Sequence, residues 1–190
     1  MDPASQYALA YALSTTAGVR ALLPLAAVAV AAHAGIVHPP SGFAWLGSTG
    51  AMWVLLVAAL VEILADKLPL VDHGMHVLGV VSKPAAAAIL VGGSLHGQPQ
   101  GVLITLMVLG ALNALGVHAA VASVRGASTI ATAGVANPVV SMVEDAGTVG
   151  SLVLAYLVPF VAALLALCCT TWLFVLARHA YRRVRAGRIA

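Results

Sequence analysis

An all-α integral membrane protein of about six transmembrane helices, some of them short or broken, is the fold class that three features of the sequence predict. Hydrophobic residues make up 62% and charged residues 8% of the 190-residue chain, and mean hydropathy is +1.03, against roughly 25% charged in soluble domains. The polar residues gather in a few short stretches between long apolar runs. At about 20 apolar residues per crossing, the length has room for roughly five to seven helices and no separate soluble domain. Residues 1–177 read as one helical transmembrane domain and 178–190 as a basic cytoplasmic tail.

The first apolar segment, about Ala4 to Val37, is too long for one straight crossing. It is interrupted by Thr15-Thr16-Ala17-Gly18 and then by Arg20 and Pro24, which predicts either a long tilted helix or a broken one. His38-Pro39-Pro40-Ser41-Gly42 is an uncharged turn, and Trp45 and Trp53 follow where interfacial anchors are expected. A second helix spans about Ser48 to Lys67 and stops before Pro69, which cannot continue the hydrogen-bond ladder. Leu70 to Ser82 reads as a connector or short amphipathic helix, and Lys83-Pro84 reopens a short third helix to about Leu95. The fourth runs from about Gly101 to Val124 and is closed by Arg125. From Gly126 to Gly147 the chain is too polar for a lipid-facing span, with Asn137-Pro138 as a cap and first-turn pair. A last helix, about Thr148 to Ala177, is interrupted at Pro159.

The formal charge of +3 describes a tail. Arg178, Arg182, Arg183, Arg185 and Arg188 are five of the nine basic residues, so the rest of the chain carries four cations against six acids. Such a cluster after an apolar helix marks the cytoplasmic side and suits anionic headgroups. Membrane lipids are therefore expected partners, and nucleic acid is not. Six crossings then put both termini in the cytoplasm, with a bacterial inner membrane as the setting. Splitting them three and three gives an inverted repeat; Thr16-Ala17-Gly18-Val19 recurs as Thr132-Ala133-Gly134-Val135, but not in equivalent helices of that split. Cys168 and Cys169 are adjacent and read as packing residues.

Charged side chains cost about 2.5–3.5 kcal/mol at the bilayer centre, so the acids indicate where chemistry could lie. Glu62 and Asp66, four apart, share a helix face. With Asp72 and Lys67 they form one polar centre, readable as a cation or proton site or as a set of ion pairs with Lys67 or Lys83. Asp72, His73 and His76 are a weak metal pattern, and headgroup contacts explain them better; no metal or other cofactor is expected. Asn137, Ser141, Glu144 and Asp145 form the second centre, either a half-helix opening towards a solute or a capped helix start. Arg20 either lies deep, paired with Glu144 or Glu62, or snorkels to the inner headgroups. His33, His96 and His118 read as hydrogen-bonded structural histidines. No HExxH, GxSxG or P-loop pattern occurs, so no enzyme is expected.

Gly18-Val19-Arg20-Ala21 with Pro24, Glu62, Ala65-Asp66-Lys67-Leu68-Pro69, Val71-Asp72, Pro84, Ala136-Asn137-Pro138, Ser141 and Glu144-Asp145 together resemble a bacterial membrane family catalogued as domain of unknown function 4126. The likeness spans almost the whole chain. It implies that the acidic and proline motifs belong to one shared architecture, and it carries no activity. The residues themselves favour a small helical transporter or channel for a small solute or cation, with proton coupling as one variant. Its pathway is expected to be lined by Arg20, Glu62, Asp66, Lys67, Asp72, Asn137, Ser141, Glu144 and Asp145. The alternative is a non-transporting scaffold or lipid-binding protein whose polar clusters lock helices together. A homo-oligomer would suit either, since so small a bundle gains a larger enclosure from a symmetric partner.

Overall fold

Asp2 sets the start of α1 (Pro3–Val19), its carboxylate accepting from Ser5 N at 3.0 Å and Ser5 Oγ at 2.6 Å. Those bonds hold the Asp2 carboxyl below the usual carboxylate range. The helix ends at Arg20, whose backbone is extended (φ −131°, ψ 126°), and α2 (Leu22–His33) begins two residues later. A short 3-10 helix, Ser41–Gly47, leads into α3 (Thr49–Ala65), where Ser48 Oγ caps by accepting from Ala51 N at 3.2 Å. Then follow α4 (Pro69–Ser94), α5 (Gln100–Thr132), α6 (Asn137–Leu157) and α7 (Pro159–Ala186). This computed structural model describes the backbone of residues 1–66, 69–132 and 135–186, and within these the side chains except those of 69–73, 75, 76, 177, 180, 181 and 183–186. Among the described residues there is no strand.

Cross-helix hydrogen bonds fix the direction of each leg. Tyr7 Oη donates to Gln98 Oε1 at 2.9 Å, and His96 N donates to Gln6 Oε1 at 2.8 Å, so α1 begins beside the α4–α5 turn. Further along, Asn113 Nδ2 donates to both Ser14 Oγ and Thr15 Oγ1 at 2.9 Å, so α1 and α5 run parallel. The chain reverses at Arg20, because the far end of α2 returns to the turn: His33 Nδ1 lies 3.0 Å from Gly47 O, and His96 Nε2 lies 2.6 Å from His38 O. Helix α6 leaves from beside Thr129, to which Asn137 Nδ2 donates at 2.9 Å. Helix α7 comes back down the bundle, bringing Phe174 against Gly116.

Among the described residues seven helices alternate in direction, and fewer than the expected six are long and apolar enough to cross a membrane. Met1 and the end of α7 therefore lie at opposite ends of the bundle, where an even count would have put them together. The three-plus-three inverted repeat fails for the same reason: α1–α3 and α5–α7 flank α4 and run in the same directions. Among the described residues, four helices are long and apolar enough to cross a membrane, or five if the 3-10 helix and α3, bent by 66°, count as one span. Helices α1 and α2, at 17 and 12 residues, are the short broken pieces that the first apolar segment allowed.

Two other expectations are corrected. Pro84 does not open a helix but lies inside α4, which is continuous through the stretch read as a connector. A proline in mid-helix frees few backbone groups, and packed membrane helices tolerate that; α4 is held between α1 and α5. Helix α5 runs past Arg125 to Thr132, and Ala136 takes the cap position, which puts Asn137 and Pro138 in the first turn of α6.

The core lies between α1, α2, α4 and the 3-10 helix, with Leu13, Ala17, Leu25, Leu46, Ala87 and Leu90 buried against one another. Small residues let α1 and α5 approach closely. A Cβ on Gly18 would stand 2.6 Å from Val117 Cβ and 2.8 Å from Ala114 O. Gly18→Ala is expected to destabilise the bundle by about 1–3 kcal/mol through overpacking, read as a lowered unfolding temperature in detergent.

Candidate functional site

The reversal at Arg20 leaves the first N–H groups of α2 pointing at α3, and Glu62 meets them. Its Oε1 accepts from Ala21 N at 2.9 Å, and its Oε2 accepts from Leu22 N at 2.9 Å and Leu23 N at 3.3 Å. A carboxylate there satisfies donors that a helix start leaves open and sits at the positive end of the helix dipole. One turn further on, Asp66 caps the end of α3 and pairs with Arg20 Nη1.

Arg20 is 1% exposed and gathers ligands from two helices. Its Nη2 donates to Ser141 Oγ at 2.8 Å and lies 2.8 Å from Asp145 Oδ1 and 3.9 Å from Glu144 Oε2, all on α6. Arg125, buried on α5, grips Glu144 with both Nε and Nη2, the first at 2.9 Å, and its Nη2 stands 3.4 Å from Asp66 Oδ2. Such two-pronged guanidinium–carboxylate contacts are among the stronger polar interactions. Beside them, Lys83 Nζ on α4 lies 3.0 Å from His118 Nδ1 on α5, both residues buried.

Among the described residues, Arg20, Lys83 and Arg125 thus gather with Glu62, Asp66, Glu144 and Asp145. Arg20, Glu62, Asp66, Lys83 and Arg125, together with Gly79 and Ser82, line a cavity of about 20 Å³, enough for a single water. Arg20 Nε is buried and has no hydrogen-bond partner, so the cluster keeps one donor in reserve.

Of the residues expected to line a pathway, the structure brings Arg20, Glu62, Asp66, Ser141, Glu144 and Asp145 together. Asn137 stands apart, tying α6 to Thr129. Lys67 lies outside the described residues, as do the side chains of Asp72, His73 and His76. Among the described residues no three His, Cys, Asp or Glu side chains gather as a metal site would require. Sequence reasoning offered Lys83 as an ion-pair partner for Asp66 and read His118 as a hydrogen-bonded structural histidine, but it took Arg125 only as a helix end and left all three out of the site. The spacing of His118 and Arg125, seven apart and so on one helix face, was the available signal.

No curated protein and no solved structure matches the chain. The family model described as "Domain of unknown function (DUF4126)" matches residues 7–179, nearly the whole length and every described member of the charged cluster, and the chain belongs to that family.

Proposed function

We propose that this protein is a small helical transporter or channel that moves a proton or a small monovalent cation through the charged cluster at the α1–α2 reversal. The observation that carries this reading is the gathering of Arg20, Lys83, Arg125, Glu62 and Asp66 around a water-sized cavity, with Glu144 and Asp145 paired to the two guanidinium groups. Intramembrane ionisable groups of this kind mark ion pathways by default.

Depth and orientation fit that reading. Arg20 lies roughly 25 Å along α1 and Arg125 roughly 37 Å along α5, at 1.5 Å per residue, against a hydrocarbon thickness of about 30 Å. The cluster therefore sits near the edge of the apolar layer at the end where α7 delivers its arginines, which the positive-inside rule assigns to the cytoplasm of a bacterial inner membrane. Leu13, Leu25, Leu46 and Leu90 fill the route to the opposite face, so conduction requires α1 and α2 to part from α4.

That same packing favours the second reading, a non-transporting scaffold in which the ion pairs only lock helices. Flux in proteoliposomes separates the two. Glu62→Gln and Asp66→Asn are each expected to lower proton or monovalent-cation flux at least tenfold while the protein still elutes as a folded species. Undiminished flux in both, or no flux above empty vesicles in the parent, removes the transport reading.

A further inference from the structure

Helix α5 sets His118 against α4 at a point where α4 carries no side chain. A Cβ on Gly79 would stand 2.8 Å from His118 Cε1 and 3.1 Å from its Nε2, so the imidazole takes up room that only glycine leaves. One turn further along α4, Lys83 Nζ lies 3.0 Å from His118 Nδ1, and both residues are buried. Two nitrogens at that separation need one hydrogen and one lone pair between them. The pair therefore keeps its bond only while it is one proton short of full, with an ammonium facing a neutral imidazole. Among the described residues, Glu62 and Asp66 on α3, Arg125 on α5 and Glu144 on α6 act on Lys83 through space, and Arg20 shares its cavity.

We infer that the ion carried through the charged cluster is a proton and that the Lys83–His118 pair loads it. This rests on the transport reading above and narrows it to one substrate. A proton from water adds to the lone pair of His118 Nδ1, so that both nitrogens carry hydrogens and the bond between α4 and α5 is lost. Lys83 then has carboxylates to turn to, since it lines the same 20 Å³ cavity as Glu62 and Asp66. Loss of the same proton to the opposite side restores the lone pair and the bond. Imidazole is the side chain that changes charge near neutral pH. A metal cation suits the place poorly, because Na+ or K+ must exchange its water shell for protein oxygens. The cavity has room for about one water, and Arg20, Lys83 and Arg125 bring positive charge to its wall. Glu62 spends both oxygens on the start of α2, and Glu144 spends both on Arg125.

In proteoliposomes at a fixed membrane potential, proton entry read by an internal pH dye is expected to exceed that of empty vesicles, while tracer Na+ and Rb+ entry does not. Proton entry should rise and saturate as pH falls from about 8 to 5, the range in which imidazole charges. His118→Asn keeps an acceptor for Lys83 but takes up no proton, and should lower proton entry roughly tenfold or more. Lys83→Met should move the half-maximal pH upwards, because the ammonium that opposes a charge on His118 is gone. A merely structural lysine would alter the yield of folded protein and leave that midpoint in place. Excess Na+ or Rb+ entry in the parent overturns the inference and leaves the transport reading standing. Undiminished proton entry in His118→Asn does the same. No entry of any ion in the parent removes both. Where His118→Asn fails to fold, an unmoved midpoint in Lys83→Met overturns the assignment and an upward shift supports it.

Discussion

Arg20→Met is expected to destabilise the protein by about 3–5 kcal/mol, the usual consequence of removing one partner from a buried ion pair. The expectation rests on what the change leaves behind. Asp66 and Asp145 would lose the Arg20 guanidinium, and Ser141 Oγ would lose its donor. Methionine keeps most of the volume, so the effect reports charge and hydrogen bonds and not a void. Thermal or denaturant unfolding in detergent measures it. Arg20→Lys should recover only part, because an ammonium cannot span Asp66 and α6 as the planar fork does. Adding Asp66→Leu to Arg20→Met should recover more, since the stranded carboxylate is then gone. A loss below about 1 kcal/mol for Arg20→Met would mean that water reaches the cluster freely and screens it.

The second large effect concerns Glu62. Glu62→Leu should cost about 3 kcal/mol or more, because three N–H groups at the start of α2 lose a charged acceptor, and single bonds to charged groups contribute about 1.5–3 kcal/mol. Glu62→Gln keeps one acceptor oxygen and should cost about 1–2 kcal/mol, which leaves it folded enough for flux work. Hydrogen exchange gives a local check. Amides at Ala21, Leu22 and Leu23 should exchange much faster in Glu62→Leu, while those in the middle of α5 should not. Equal acceleration in both places would show that Glu62 acts on the whole bundle and not on the reversal.

How much of this was legible beforehand depends on the kind of residue. Glu62, Asp66, Glu144 and Asp145 drew attention because acids in apolar sequence need partners, and the structure supplies those partners from within the bundle. Arg20 was legible only as a choice between depth and snorkelling. What decided the choice is a contact 46 residues away in sequence, with Asp66, which no local pattern encodes. Arg125 was read as a helix end because arginine often closes a span, yet Gly126 and the small polar residues after it continue α5 to Thr132. Pro84 misled for a similar reason: proline suits a first turn, and only the neighbours α1 and α5 explain its place in mid-helix. The direction of α2, and with it the odd number of legs, follows from the cap that Glu62 provides, again a long-range bond.

The reversal at Arg20 also has a consequence for biogenesis. A nascent chain emerging at the translocon would present α1 and α2 first, each too brief to anchor by itself and joined by a guanidinium. Neither Asp66 nor Ser141 would yet have been synthesised. The hairpin can settle only once α3 has appeared, and it gains its remaining ligands when α6 follows more than a hundred residues later. Ribosome-stalled products ending before Asn137 should therefore be cleared by membrane quality control, and α6 acts as the late clasp that completes the topology of the first two helices.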